Sequence, residues 1–317
     1  MSYLNNTVMC LWPYYYTLHQ CESVMIYLQV FAGLSLFGCM FVILIICLFR
    51  DYQFFVFRLL FFLSISSALQ SISYLISDIN NYIICMFQAI AMQYFSWSTL
   101  LWVISITIHV LCSTKKQTIE NKEKYLHLIS WLLPLFWVAL PFIKNSYGKA
   151  GAWCWIRHDA AAMRFGAWYV PKFVVVFFLV TSYFYILLKA VQEKKQWAGV
   201  HNNAVQADNR NTFMLKEIKQ LAVYPLIYLI VSLPALIFRI MNAIHPNDAP
   251  DYTILILGVI SSSANGAVNA VAFALYGGFQ KRLTFSQLKL AALSWLKPKT
   301  PNVIHNYVLN DFVYTIS

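Results

Sequence analysis

The feature that most constrains this chain is a series of seven apolar runs, each long enough to cross a membrane. The runs occupy residues 24–49, 57–77, 85–113, 125–143, 167–190, 219–244 and 252–276. A spanning helix needs roughly 20 apolar residues, because the hydrocarbon core of a bilayer is about 30 Å thick. Backbone polar groups find no water there, so a helix satisfies them most economically. The runs therefore predict an all-α membrane protein, a seven-transmembrane helix bundle.

The composition excludes the other broad classes. Of the 317 residues, 60% are hydrophobic and 11% are charged, whereas a soluble domain carries about 25% charged residues. The 24 Phe, 20 Tyr and 10 Trp exclude a disordered chain. Only ten glycines, with no strand-period alternation, argue against an outer-membrane barrel. We therefore expect one helical bundle without a second domain.

Lysine and arginine residues between the runs orient the bundle. Most of the 23 lie in the loops on one side of the predicted membrane. The opposite side holds four, all in one loop: Lys144, Lys149, Arg157 and Arg164. Basic loops mark the cytoplasmic face, so we expect the N-terminus outside and the C-terminus inside. The net charge of +11 is thus chiefly a topology signal, and we expect contact with membrane lipid but no nucleic-acid partner.

These assignments divide the chain into four segments. An extracellular N-terminus, the bundle, an amphipathic helix and a cytoplasmic tail occupy residues 1–23, 24–276, 277–296 and 297–317. The first segment lacks a cleavable signal, so the first span is expected to act as an uncleaved anchor. Asn5, in Asn5-Asn6-Thr7, is a candidate glycosylation site. Apolar residues alternating with Lys281, Arg282 and Lys289 predict a helix on the inner leaflet.

The cysteines divide by compartment. Three lie within spans or at their inner ends and are expected to stay reduced: Cys39, Cys47 and Cys112. Four face the oxidising side. A bond from Cys85 to Cys154 would pin the long outer loop across the mouth of the bundle, and a bond from Cys10 to Cys21 would close a small N-terminal loop. The alternative is four free thiols.

Local motifs resemble one receptor class. Gly151-Ala152-Trp153-Cys154-Trp155-Ile156 resembles the second outer-loop motif of the cyclic-AMP receptor-like class of G-protein-coupled receptors, and of their secretin-like and adhesion-like relatives. Comparable segments occur in the second, third and sixth spans: Ser73-Tyr74-Leu75, Gln93-Tyr94-Phe95 and Tyr224-Pro225-Leu226-Ile227. The resemblance covers most of 24–280. It implies a receptor for a small extracellular ligand that activates a heterotrimeric G protein through movement of the sixth span.

The sequence also departs from related receptor classes. The rhodopsin-like class ends its third span with an acidic-Arg-aromatic triplet, where this chain has Ile108-His109-Val110-Leu111-Cys112. The seventh span contains Asn265, Asn269 and Tyr276 without the Asn-Pro-x-x-Tyr arrangement. Only 23 residues precede the first span, so large peptide hormones captured by an ectodomain are not expected ligands.

Two cations inside predicted spans are candidate ligand contacts. A charge at the membrane centre costs at least about 2.5–3.5 kcal/mol, and both Lys172 and Arg239 lie near the outer ends of their spans. In one interpretation they hold an anionic group, for which a guanidinium offers a planar fork. In the alternative they snorkel to headgroups or pair with Asp78 or Asp159. Asn242 shares a face with Arg239 and joins the candidates.

Four further residues complete the predicted ligand site. Gln93 and Trp97 share one face of the third span, which is either pocket or core. Trp153 and Arg157 flank Cys154 in the outer loop. They form a lid over the pocket in one interpretation, whereas in the alternative the tryptophan is an interface anchor.

A second group of candidates surrounds the predicted G-protein cavity. They are Arg50, Arg58, His109, Lys116, Lys216 and Lys219. Basic inner loops are general in membrane proteins, and a lone histidine is most simply a polar contact between helices. Pro171, Pro225 and Pro234 interrupt backbone hydrogen bonding in the fifth and sixth spans, which suggests either a moving hinge or a static kink.

Other function classes fit less well. A retinal-binding protein needs a lysine in the last span, and 252–276 contains none. The histidines are scattered, so neither an enzyme nor a metal site or cofactor is expected. A small-solute transporter is the main alternative, because Pro134 with Pro141 resembles the sixth span's proline pair, as in folds with paired broken helices. No internal repeat supports it. We expect a multi-pass receptor of the plasma membrane.

Overall fold

The computed structural model describes residues 7–11, 14–76, 81–115, 117–150, 153–157, 159–198, 221–244, 251–275 and 284–296. Within these ranges, the side chains of 7–18, 190, 193–198, 239, 242–244, 285 and 294–296 are not described.

The first four predicted spans are helices. They are α1 (Leu18–Leu48), α2 (Phe55–Leu75), α3 (Tyr82–Thr114) and α4 (Glu123–Ala139), the last continued by a 3-10 turn over Leu140–Lys144. Helix α1 begins six residues before its predicted start, because its first turns are polar and carry no hydropathy signal. Tyr252 holds this end of α1 by donating its hydroxyl proton to the carbonyl oxygen of Gln20, at 3.3 Å.

The remaining spans are less regular. The fifth comprises α5 (Ala161–Arg164), a π-helical turn (Phe165–Tyr169) and α6 (Val170–Ala198). The sixth is α7 (Val223–Ile244), and the seventh is α8 (Tyr252–Ser263) followed by α9 (Asn265–Ala274). Helix α10 (Phe285–Leu296) follows the last span and lies within the segment 277–296 that is predicted to be an amphipathic helix.

Helix length and composition agree with the predicted seven-helix bundle. Five described helical segments are long and apolar enough to cross a membrane, and α8 with α9 forms a sixth if the bent pair is one span. In α7, Val223–Phe238 is a shorter apolar helix. Each of the seven predicted apolar runs is therefore occupied, at least in part, by an apolar helix.

The seventh span is bent where the sequence predicts one uninterrupted run. Helices α8 and α9 meet at 54°. A break in a membrane helix exposes backbone groups that must find partners inside the protein. Ser35 of α1 supplies them, because its hydroxyl donates to the carbonyl oxygen of Ser263 at 2.5 Å and accepts from the amide of Ala267 at 3.1 Å.

Small residues allow α1 and α9 to approach closely. A Cβ atom added at Gly266 would lie 2.7 Å from Cys39 Sγ, and one added at Gly38 would lie 2.9 Å from the Cβ of Ala270. Close backbone approach through small residues is the usual means of helix association in membranes, where lipid tails are as apolar as leucine. The first span and the inner half of the seventh therefore pack as a tight pair.

Helix α3 lies at the centre of the bundle. It contacts α2, α4, α6 and α7, together with both strands of the outer loop. Its buried tryptophans carry the aromatic core: Trp97 stacks on Trp137 with ring centroids 4.9 Å apart, and Trp102 stacks on Phe62 at 5.4 Å. Because α3 contacts so many elements, its side chains can link the outer loop to the spans.

Two short hairpins lie at the outer end. Strands β1 (Thr7–Leu11) and β2 (Tyr14–Thr17) pair antiparallel before α1, and β3 (Tyr147–Lys149) pairs antiparallel with β4 (Cys154–Ile156) in the loop after α4. Cys21 is disulfide-bonded, as a Cys10–Cys21 pair requires, but the Cys10 side chain lies outside the described part.

Candidate functional site

The outer loop is fastened to α3 by a disulfide and by hydrogen bonds. The predicted Cys85–Cys154 disulfide is present, with 5.3 Å between the Cα atoms. The buried amide of Gln88 adds a hydrogen bond, since its Oε1 accepts from the Cys154 backbone amide at 3.0 Å. Tyr147 of β3 donates its hydroxyl proton to the carbonyl oxygen of Val138, at 2.9 Å. Burial raises the pKa of Tyr147, so this hydroxyl stays protonated and able to donate.

Beneath this loop lies a cavity of about 130 Å³, which we call the outer cavity. Its walls come from α1, α2, α3, the fifth span, α7 and α8, and the loop contributes two tryptophans. The polar and aromatic lining residues are Tyr74, Gln93, Ser96, Trp153, Trp155, Trp168, Tyr169, Lys172, Phe238 and Ser262. The cavity is thus largely apolar and aromatic, with a few polar groups, as is usual for small-molecule sites.

Lys172 is the one charged side chain among the described residues that line the outer cavity. Its Nζ lies 5.2 Å from the ring centroid of Trp168, one helical turn earlier in the fifth span. The ring face attracts the cation, which orients the ammonium group at the cavity wall. An anionic group in this apolar space would therefore meet one positive charge.

Gln93 joins three parts of the site. It is fully buried, its Oε1 accepts from the indole Nε1 of Trp155 at 2.8 Å, and its Nε2 donates to the carbonyl oxygen of Ala167 at 3.2 Å. That carbonyl lies in the π-helical turn, in which Trp168 is the next residue. One amide thus sets the relative positions of α3, the outer loop and the fifth span.

Trp97 does not line the outer cavity. Its indole Nε1 donates to the same Ala167 carbonyl oxygen, at 3.2 Å, so it shares a face with Gln93 as the spacing predicts. The side chain is buried between Trp137 and Trp168. The structure therefore places it behind the cavity wall, in the core.

The remaining predicted ligand contacts are dispersed. Trp153 lines the outer cavity, whereas Arg157 lies outside it, half-exposed, with its Nη2 3.3 Å from a carboxylate oxygen of Asp159. The side chains of Arg239 and Asn242 lie outside the described residues, so their predicted roles rest on sequence alone.

A smaller space of about 50 Å³, which we call the inner chamber, continues deeper into the bundle. It shares six lining residues with the outer cavity: Tyr74, Ser96, Trp168, Lys172, Ala235 and Ser262. Its other lining residues lie further from the disulfide: Gln70, Thr99, Tyr228, Val231, Ser232, Ser261 and Asn265. Lys172 therefore stands where the two spaces meet.

Several lining residues were not predicted from the sequence. Tyr74, Met92, Ser96, Phe238 and Ser262 are uncharged and occur at spacings typical of any packed helix. The one available sign is the density of Ser, Thr and Tyr in the second, third and seventh spans. That density indicates a polar interior but does not show which face of each helix lines the cavity.

At the inner end of the bundle, Arg58 is engaged within the protein. Its Nε and Nη2 donate to the two carboxylate oxygens of Glu123, at 2.7 and 2.8 Å, and its Nη1 donates to the carbonyl oxygen of Gln53 at 2.7 Å. This bidentate pair joins the beginning of α2 to the beginning of α4. The geometry is that of the stronger class of ionic hydrogen bonds.

The other predicted inner residues have different surroundings. His109 packs against Phe55 with ring centroids 5.1 Å apart, and its buried Nδ1 has no hydrogen-bond partner among the described residues. Arg50 adopts a left-handed backbone conformation, with φ of 58°, at the turn between α1 and α2. The predicted residues Lys116, Lys216 and Lys219 lie outside the described part.

Comparison with known proteins identifies similar sequences and a similar fold. The family described as slime mold cyclic AMP receptor matches residues 17–293. G-protein coupled receptor 1 of Arabidopsis thaliana is 26% identical over 289 residues, which cover 86% of each chain. Cyclic AMP receptor-like protein A of Dictyostelium discoideum is 27% identical over 268 residues, covering 84% of this chain and 68% of that protein. Squid rhodopsin shares the fold, with a TM-score of 0.63 at 14% identity over 94% of this chain and 91% of that one.

Proposed function

We propose that this chain, which belongs to the slime mold cyclic AMP receptor family of G-protein-coupled receptors, binds a small anionic extracellular ligand in the outer cavity and in response activates a heterotrimeric G protein. The observation that carries the proposal is the position of Lys172, whose positive charge stands in an aromatic cavity at the disulfide-bonded end. We further propose that the protein resides in the plasma membrane, where this end would face the outside.

The surroundings of Lys172 support an anionic ligand. A charge pair gains more energy in an apolar cavity than in water, since the effective dielectric constant is lower. Trp153, Trp155 and Trp168 surround the space with ring faces and edges that suit a flat or apolar part of the same ligand. The volume of about 130 Å³ favours a small molecule. Arg239 and Asn242 remain proposed as additional contacts.

The sixth span is proposed to carry the signal. Ala235, Leu236 and Phe238 of α7 line the outer cavity, directly after Pro234. A proline cannot donate the backbone hydrogen bond of its turn, so the helix bends more easily there. Gly258 of α8 lies close by, since an added Cβ would be 3.3 Å from the Cα of Ala235. A ligand that shifts α7 at this contact would swing the inner end of the helix, where Pro225 lies.

The inner end is the proposed G-protein site. Movement of α7 would open a cavity beside its neighbours α3, α6 and α9, near His109 of α3. Arg58, at the beginning of α2, is proposed to lie at its edge. Arg50, Lys116, Lys216 and Lys219 are proposed to border the same cavity.

The proposal is tested by nucleotide exchange on a heterotrimeric G protein reconstituted with the purified chain and a panel of small organic phosphates and carboxylates. Lys172→Ala should raise the half-maximal concentration of an active anion at least about tenfold, because an ionic hydrogen bond contributes about 1.5–3 kcal/mol. Lys172→Arg, which retains the charge, should shift it less. An unchanged response in Lys172→Ala would contradict the anion site. Accumulation of solute in vesicles without nucleotide exchange would favour the transporter alternative.

A further inference from the structure

Most of the residues that line the inner chamber carry uncharged polar side chains, and three of these, Ser261, Ser262 and Gln70, already donate hydrogen bonds within the protein. Ser261 Oγ donates to the Gly258 carbonyl at 3.1 Å, and Ser262 Oγ donates to the Val259 carbonyl at 2.9 Å. Their hydroxyl protons are thus committed to the backbone of α8, and their oxygens remain able to accept. The amide of Gln70 is also committed, since its Nε2 donates to Ser96 Oγ at 3.0 Å.

Asn265 adds a second, independent observation. Its side chain lines the inner chamber and is 93% buried, and its Oδ1 has no hydrogen-bond partner among the described residues. A buried carbonyl oxygen without a donor is unfavourable, because it has lost its hydrogen bonds to water without replacement. Such a group in a space large enough for several heavy atoms calls for an occupant that donates a hydrogen bond.

From these observations we propose that the inner chamber is a subsite for a neutral, hydroxyl-bearing part of the ligand whose anionic group lies at Lys172. The two parts would be adjacent, because Lys172 lines both spaces. The anion itself would not satisfy Asn265 Oδ1, because a deprotonated phosphate or carboxylate oxygen has no proton to donate. A hydroxyl group both donates to Asn265 Oδ1 and accepts in turn. This inference rests on the proposed anion site and names the chemistry that accompanies the anion.

The test compares two phosphates of equal carbon length on the purified full chain in lipid nanodiscs. Glycerol 3-phosphate carries two hydroxyl groups, and propyl phosphate carries none. Their half-saturating concentrations are measured from the rise in unfolding temperature. We expect glycerol 3-phosphate to saturate at a concentration at least about fivefold lower, because each net hydrogen bond contributes about 0.5–1.5 kcal/mol.

Three variants test whether the preference for glycerol 3-phosphate over propyl phosphate arises in the inner chamber. Asn265→Leu should abolish the difference between the two phosphates while leaving propyl phosphate binding in place, and Ser262→Ala, which removes only an oxygen, should reduce it. Asn269→Leu is the matched control, since Asn269 is also buried on α9, one turn further, and is not a lining residue. It should retain the full preference.

The outcomes separate this inference from the proposed function. Equal half-saturating concentrations in the wild type, or a preference that survives both Asn265→Leu and Ser262→Ala, would overturn the subsite and leave the anion site standing. Failure of both phosphates, and of inorganic phosphate, to stabilise the wild type would overturn the anion site and the subsite together.

Discussion

Gln93 shows how a single side chain organises the outer half of the bundle. Its two ends bond the outer loop through Trp155 and the fifth span through Ala167, so neither neighbour can shift without breaking a buried hydrogen bond. The residue is thereby a positioning group for Trp168 and Lys172, which follow Ala167 along the chain. This role is compatible with its place in the cavity wall.

Replacing Gln93 with Leu should lower the free energy of unfolding by about 1–3 kcal/mol, because the indole of Trp155 would be left as a buried donor without a partner. Thermal unfolding of purified protein in detergent measures the change. Gln117→Leu is the matched control, since Gln117 is exposed beyond the end of α3, and it should have little effect. Equal unfolding temperatures for Gln93→Leu and wild type would refute the positioning role.

Cys85→Ser should destabilise the protein by about 2–5 kcal/mol, the usual cost of losing a native disulfide. The outer loop would then depend on Gln88 and Gln93 to stay on α3. The same thermal assay measures the loss, and ligand-dependent nucleotide exchange should weaken in parallel, because Trp153, next to Cys154, would be less firmly positioned in the cavity wall. Cys112→Ser serves as control, as Cys112 is a free cysteine. A Cys85→Ser protein as stable as this control would be inconsistent with the account.

At the scale of elements, the pairing of α1 with α9 distinguishes two kinds of glycine. Gly266 and Gly38 lie where the helices touch, whereas a Cβ added at Gly33 of α1 would have no heavy atom within 4 Å. Glycine is required at 266 and 38 because α1 and α9 approach each other closely there, whereas Gly33 has no such neighbour. This difference explains why the inner half of the seventh span can be short and still be held firmly.

Gly266→Ala should therefore destabilise the bundle by about 1–3 kcal/mol, through the clash of the new methyl group with Cys39 Sγ and the Ser35 carbonyl. Gly33→Ala should instead stabilise it by about 0.5–1 kcal/mol, because alanine loses less backbone entropy than glycine in a helix. Unfolding temperatures of the two variants should move in opposite directions. A shift of the same sign and size in both would show that α1 and α9 are not closely packed.

At the scale of the whole molecule, the distribution of basic residues and the disulfide-bonded outer loop indicate the same orientation. A peptide tag at the N-terminus should be accessible to antibody on intact cells, and a tag at the C-terminus should be accessible only after permeabilisation. An antibody to a cytosolic protein controls for membrane integrity. Labelling of the C-terminal tag on intact cells would reverse the assigned topology.

The bundle was predictable because each span carries its own signal, about 20 apolar residues between polar loops. The bend at Ala264 carried no such signal. The partner that makes it possible, Ser35, is more than 200 residues away in sequence. For the site, a charged residue in a span is conspicuous, so Lys172 was found, but Ser96 and Ser262 resemble ordinary core positions. Trp97 was proposed as a contact because helical spacing places it beside Gln93 without revealing which of the two borders the cavity.

The bridge formed by Ser35 has a consequence for the biogenesis of the protein. The first span carries the hydroxyl that the seventh span needs, and Ser35 and Ala267 are 232 positions apart in sequence. Before the seventh span is synthesised, the Ser35 hydroxyl lacks its partners in that span. Before the seventh span docks against α1, the carbonyl of Ser263 and the amide of Ala267 lack the Ser35 hydroxyl. Insertion of the bundle is therefore completed by the docking of its seventh span against its first. A fragment without the first span would lack the hydroxyl that bonds these two backbone groups at the bend of the seventh span. We expect such a fragment to be recognised by cellular quality control.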